Sequence, residues 1–124
     1  MAKVLVVYTG DLRARSAITG RLSAHEVSFC TDVEGVCEAV ARSNPDVIVT
    51  HLGDRWYDKE GSVAGKVMNE LDHAGLKVPV VVFTAAYPSG NVRQHLVVDH
   101  GVKAIISMAD RSPHEMLARA IAKA

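Results

Sequence analysis

Five short stretches of the chain are apolar enough to be strands: Lys3 to Tyr8, Glu26 to Cys30, Asp46 to Thr50, Pro79 to Phe83 and Lys103 to Ser107. The first, third and fourth are almost wholly Val, Ile, Leu or Phe, the pattern of strands covered on both faces rather than one. Between them the apolar residues recur at helical spacing. Ala14, Ile18 and Leu22 return every four positions, although Gly20 weakens that helix by about 1 kcal/mol relative to alanine. In TDVEGVCEAVAR, Thr31 and Glu34 stand at capping-box spacing, with an inner face of Val33, Val36, Cys37 and Val40. A third helix is expected to start at a Ser62 cap, bury Val63, Val67 and Leu71, and stop at Gly75. A fourth runs roughly from Gly90 to His100, with Val92 and Leu96 inward and Gly101 as its stop. The fifth opens at SPHE, where Ser112 caps, Pro113 takes the first turn and Glu115 closes a second capping box ahead of Leu117 and Ile121.

Five alternations of strand and helix predict an α/β fold: one doubly wound parallel sheet of five strands, with five helices on its two faces and right-handed crossovers. Ligands of such sheets gather beyond the carboxyl ends of the strands. The residues there are Tyr8, Thr9, Gly10 and Asp11 after the first strand, His51 after the third, Thr84 after the fourth, and Ser107 with Met108 at the fifth.

Composition narrows the function classes. The length of 124 residues fits a single domain, 1–124, with a real core. Fourteen basic residues balance fourteen acidic ones, so no global field steers the protein to nucleic acid or to an anionic membrane surface. The opening MAKVLVVYTGD turns polar too soon for a signal h-region or a membrane span, and a cytoplasmic protein is expected. Cys30 and Cys37 have no second cysteine pair and no histidine at zinc-finger spacing, so reduced packing thiols are expected.

KVLVV resembles the first strand of the receiver domains of two-component response regulators, and TDVEGVCEAV resembles their second loop and helix. PDVIVTHL is similar to that family's Pro-Asp step, apolar run and phosphoacceptor strand. VPVVVFTA is similar to its fourth strand, with a hydroxyl residue at Thr84, and HGVKAIIS with the capped helix after it to its fifth. These segments cover nearly the whole chain in the right order, and they imply a CheY-like, flavodoxin-like sheet in the order 2-1-3-4-5.

The resemblance also implies a chemistry: an acidic pair and an acceptor aspartate that hold magnesium, a Thr or Ser on the fourth strand, and a lysine after the fifth. On this chain the acidic pair falls on Tyr8 and Thr9, the acceptor on His51, the hydroxyl on Thr84 and the lysine on Met108. Only the hydroxyl is retained, and Ala109 and Ile105 replace the family's usual proline and strand-five aromatic. A neutral imidazole is a poor magnesium ligand and forms no acyl phosphate, and a thioether cannot pair with a phosphoryl oxygen as an ammonium does. A degenerate pseudo-receiver is therefore expected, without aspartyl-phosphate chemistry, metal or cofactor. Asp11 reads as a helix N-terminal acid rather than a restored ligand, and His51 with Asp54 and Asp11 makes no metal motif. His51 itself is read as a partly buried neutral ring, hydrogen-bonded to Thr84, Tyr8 or backbone, that fills the former active site.

Three functions compete. The first is a phosphorylation-independent signalling module that works by protein–protein interaction, with a signalling protein as partner. Its candidate contacts are Trp56 and Tyr57 beside Arg55, then Arg93, Val97 and Lys103 on the part of the fold where the family docks partners. Trp56 reads equally as a platform or as a lid over the vacated pocket, and of adjacent Val97 and Val98 one is expected near solvent. The second is a flavodoxin-like flavin or nucleotide binder, in which backbone amides of the Thr-Gly turn in VVYTGD receive a phosphate. The third is a pH or metal sensor in which His51 shifts the 52–61 loop. His25, His73, His95, His100 and His114 are read as solvated surface.

Overall fold

Valine and isoleucine suit a strand whose two faces are both covered, and the three strands richest in them lie in the middle of the sheet. The computed structural model describes residues 2–9, 20, 22, 25–53, 55–58, 61–85 and 88–124. Its strands are β1 Lys3–Val7, β2 Glu26–Cys30, β3 Val47–Thr50, β4 Val80–Thr84 and β5 Ala104–Ser107, each within one residue of the expected bounds. They pair in parallel in the order β2-β1-β3-β4-β5. Val7 stands opposite Thr50, and Thr84 opposite Ser107, so the strand ends meet along one edge.

The helices are α1 Val36–Ser43, α2 Val63–Ala74, α3 Gly90–Gln94, continued by a π turn over His95–Asp99, and α4 Pro113–Lys123. Alternate strand residues divide the core in two. Leu5, Val7, Ile48, Val80, Val82 and Ile105 pack with α1, α2 and α3, while Val4, Val6, Val49, Val81, Phe83 and Ile106 pack with Leu117 and Ile121 of α4. The expected helix around Ala14 and Ile18 lies outside the described residues, which therefore hold four helices rather than five; buried Leu22 joins the α4 side of the core. No helix among the described residues is long and apolar enough to cross a membrane.

Helix ends separate true caps from mere spacing. Ser62 accepts a hydrogen bond from the Gly65 amide at 3.0 Å, and Gly75 closes α2 with φ 69°, both as expected. The Thr31–Glu34 capping box does not form. Asp32 Oδ1 accepts the Gly35 N–H at 2.6 Å instead, holding a turn that delays α1 until Val36. Ser112 makes no cap bond either, although Pro113 opens α4 as expected. Between α1 and β3, Asn44 takes the left-handed conformation and Asp46 binds Lys3 twice, its carboxylate accepting from the Lys3 amide and its own amide donating to the Lys3 carbonyl, both at 2.8 Å. The Pro-Asp step thus sets where β3 starts against β1.

Ser62→Ala should lower stability by about 1 kcal/mol in urea denaturation, whereas Thr31→Ala and Ser112→Ala should change it by less than about 0.5 kcal/mol. Equal losses at all three would mean that the capping boxes form after all.

Candidate functional site

At the carboxyl end of the sheet, parallel pairing carries β1 and β3 one residue past their last ladder pair, to Tyr8 and His51. The two rings stack, with centroids 3.8 Å apart and planes 13° off parallel. His51 is buried at 7% exposure, and its Nε2 accepts the Thr9 backbone N–H at 3.1 Å, with the Thr9 hydroxyl at 3.3 Å. An amide can only donate, so Nε2 must present its lone pair, and the ring is held as the neutral Nδ1–H tautomer. The backbone partner expected for His51 is thus the Thr9 amide, and Tyr8 contributes its ring face.

The segment after His51 is shaped to this arrangement. Leu52 is buried and its carbonyl accepts the Val63 N–H at 2.9 Å, which ties the loop to the start of α2. Gly53 sits at φ 75°; a Cβ there would lie 2.8 Å from Val63 Cγ2 and 3.6 Å from His51 Cε1. Glycine is needed for the backbone and for the close approach to Val63. Below the ring, the Thr50 hydroxyl donates to the Val7 carbonyl at 3.0 Å, a further tie between β1 and β3.

The other receiver positions are placed as follows. Thr84 ends β4 in a buried position, and its carbonyl accepts the Met108 N–H at 2.8 Å. Met108, at the lysine position, is half-exposed on a turn that Asp110 closes by accepting the Ser107 amide at 2.9 Å. Asp11 and Asp54 lie outside the described residues. Magnesium requires oxygen ligands, preferably carboxylates, and the described ends of β1, β3, β4 and β5 offer a phenol, the hydroxyls of Thr9, Thr84 and Ser107, and an imidazole whose acceptor nitrogen already faces an N–H. These residues do not fit the ion. Among the described residues no group of three or more His, Cys, Asp or Glu is placed to hold any metal.

Outside the strand ends, Trp56 and Tyr57 meet edge to face at 5.8 Å and are 50% and 61% exposed. Arg55 pairs with Asp58 at 2.8 Å across the same turn. Arg93 and Lys103 are exposed. Val97 is not the exposed valine of its pair: it packs against the core, while Val98 stands out at 69%. Cys30 and Cys37 are free thiols; Cys37 donates to the Glu70 carbonyl at 3.4 Å, and burial pushes the Cys30 thiol above its ordinary value of 9.0. Two of the histidines read as solvated surface, His95 and His100, are instead largely buried and joined to each other. Their spacing of five carries no signal in an α-helix.

His51→Phe keeps an aromatic ring against Tyr8 but removes the acceptor of the Thr9 amide. It should cost about 1–2 kcal/mol in urea denaturation, with the fold retained by circular dichroism. A neutral or stabilising result would show that the Thr9–His51 bond does not hold the strand ends.

No protein-family model matches the chain, and no curated protein matches it in sequence. Solved structures do. A DNA-binding response regulator of the LuxR family from Staphylococcus aureus is 17% identical over 99% of this chain and 98% of its own, with a TM-score of 0.73. The chemotaxis protein CheY4 of Vibrio cholerae is also 17% identical, over 99% and 98%, with a TM-score of 0.73. The receiver domain of a sensor histidine kinase from Pseudomonas aeruginosa, solved with magnesium in its active-site cleft, is 16% identical over 98% and 95%, with a TM-score of 0.68. Together with the strand order β2-β1-β3-β4-β5, these likenesses make the fold of this chain that of the response-regulator receiver domains.

Proposed function

We propose that the chain is a receiver-like signalling module that acts by binding a protein partner and does not depend on phosphorylation. The observation that carries this reading is the Thr9 N–H donating to His51 Nε2, at the position where the resemblance implies an acceptor carboxylate. A phosphoryl acceptor there would need a carboxylate oxygen directed at the donor, a cation to neutralise the transferring oxygens and a basic residue to hold the product. His51 supplies no carboxylate, Tyr8 and Thr9 supply no metal ligand set, and half-exposed Met108 supplies no charge. What such a module retains is surface.

On that surface, exposed Arg93, Val98 and Lys103 occupy α3, its π turn and the approach to β5, and Trp56 with Tyr57 forms a separate aromatic projection. A cation beside an exposed apolar residue suits a partner face carrying carboxylates around an apolar centre. The same strand-end bond weighs against the other two readings. A flavin or nucleotide phosphate on the Thr-Gly turn would need the Thr9 amide, which is already spent on His51, and a metal on His51 would compete for the same nitrogen.

The immobilised chain should capture a partner from native cytosol, and the double variant Arg93→Glu with Lys103→Glu should weaken that complex at least tenfold. Acetyl phosphate with magnesium should change neither the affinity nor the intact mass of the protein. A stoichiometric gain of one phosphoryl mass would sink the proposal. Binding that ignores the charge reversal would move the docking face elsewhere, toward Trp56 and Tyr57.

A further inference from the structure

The π turn after α3 brings together side chains that an α-helix would keep apart. Residues five apart on an α-helix point about 140° from one another. Here the His100 amide donates to the His95 carbonyl at 3.1 Å, the wider turn places the two imidazoles on one side, and the rings meet edge to face with centroids 4.5 Å apart. Their Nε2 atoms stand 3.1 Å from each other. Behind each ring is a carboxylate: Asp99 Oδ2 lies 3.2 Å from His95 Nδ1, and Asp72 Oδ2, reaching over from α2, lies 2.7 Å from His100 Nδ1. The histidine side chains are only 14% and 10% exposed, while the two aspartates are more than half exposed.

We propose that His95 and His100 bind a divalent transition cation of the zinc class through their Nε2 atoms, with Asp72 and Asp99 orienting the rings from behind. Two imidazole nitrogens on one tetrahedral zinc, each at about 2.0–2.1 Å, stand about 3.3 Å apart, close to the spacing already present. A carboxylate that accepts the far N–H of a ligating histidine is the usual support of such a site, because it fixes the tautomer and raises the basicity of the ligand. The imidazole pair selects zinc, nickel, cobalt or copper over magnesium or calcium.

With a carboxylate accepting from each Nδ1–H, each Nε2 can give its lone pair to the ion. The incoming ion displaces any proton held between the two Nε2 atoms, which leaves to solvent, and both rings act as neutral ligands. The two carboxylates leave the cluster attractive to a cation, although Lys77 and Lys103 line the groove beside His100 and offset part of the attraction. Two protein ligands leave the remaining positions to water.

The test is a titration of tag-free protein with zinc chloride, read by NMR of the histidine rings and by calorimetry in two buffers of different ionisation enthalpy. The His95 and His100 ring signals should shift together at one equivalent, ahead of those of His25, His73 and His114, with proton release that grows as the pH is lowered. His95→Gln and His100→Gln should each weaken binding at least tenfold, and Asp72→Asn, which keeps both ligands, by about 10–100-fold. Unchanged affinity in both histidine variants would overturn the proposal, as would zinc shifts spread equally over all the histidines in the unaltered protein.

Discussion

Three central strands covered on both faces set the terms for everything at their ends. β1, β3 and β4 bury nearly every side chain, four to five residues in a row, and His51 and Thr84 at their ends are buried with them. A group at such a position must either be paired or be neutral, because an uncompensated charge there costs several kcal/mol. Carboxylates with magnesium satisfy that requirement in one way. A neutral imidazole that stacks on Tyr8 and accepts the Thr9 amide satisfies it in another, with no ion involved.

The side chains at the strand ends therefore depend on one another. His51 is held in its place because Tyr8 supplies a flat partner and Thr9 a backbone donor. Met108 turns partly to solvent on a turn closed by Asp110. Thr84 terminates a buried strand and takes the Met108 amide on its carbonyl.

Much of this was legible before any coordinates. Runs such as VLVV and VVVF state a doubly covered strand with little ambiguity, and the alternation of such runs with helical periods limits the fold to few choices. The strand ends could be located from that fold, and a backbone hydrogen bond was among the partners expected for His51. Finer features failed where several local bonds compete. Thr31 and Glu34 have capping-box spacing, yet Asp32 captures the Gly35 amide first. The exposed residue of the Val97–Val98 pair, and the meeting of His95 with His100, depend on a π turn that no helical period of 3.6 residues foresees. Ser62 and Gly75, where one residue alone makes the bond or the left-handed turn, were readable without error.

The proposal under test is that the Thr9–His51 bond closes the strand ends to magnesium and to a phosphoryl group. It is tested most directly by amide and histidine-ring NMR spectra recorded with magnesium alone and then with magnesium and beryllofluoride. The resonances of Thr9, His51 and Thr84 should stay unmoved through both additions, with His51 showing the neutral Nδ1–H form throughout. A saturable shift at those three residues when beryllofluoride is added would contradict the account.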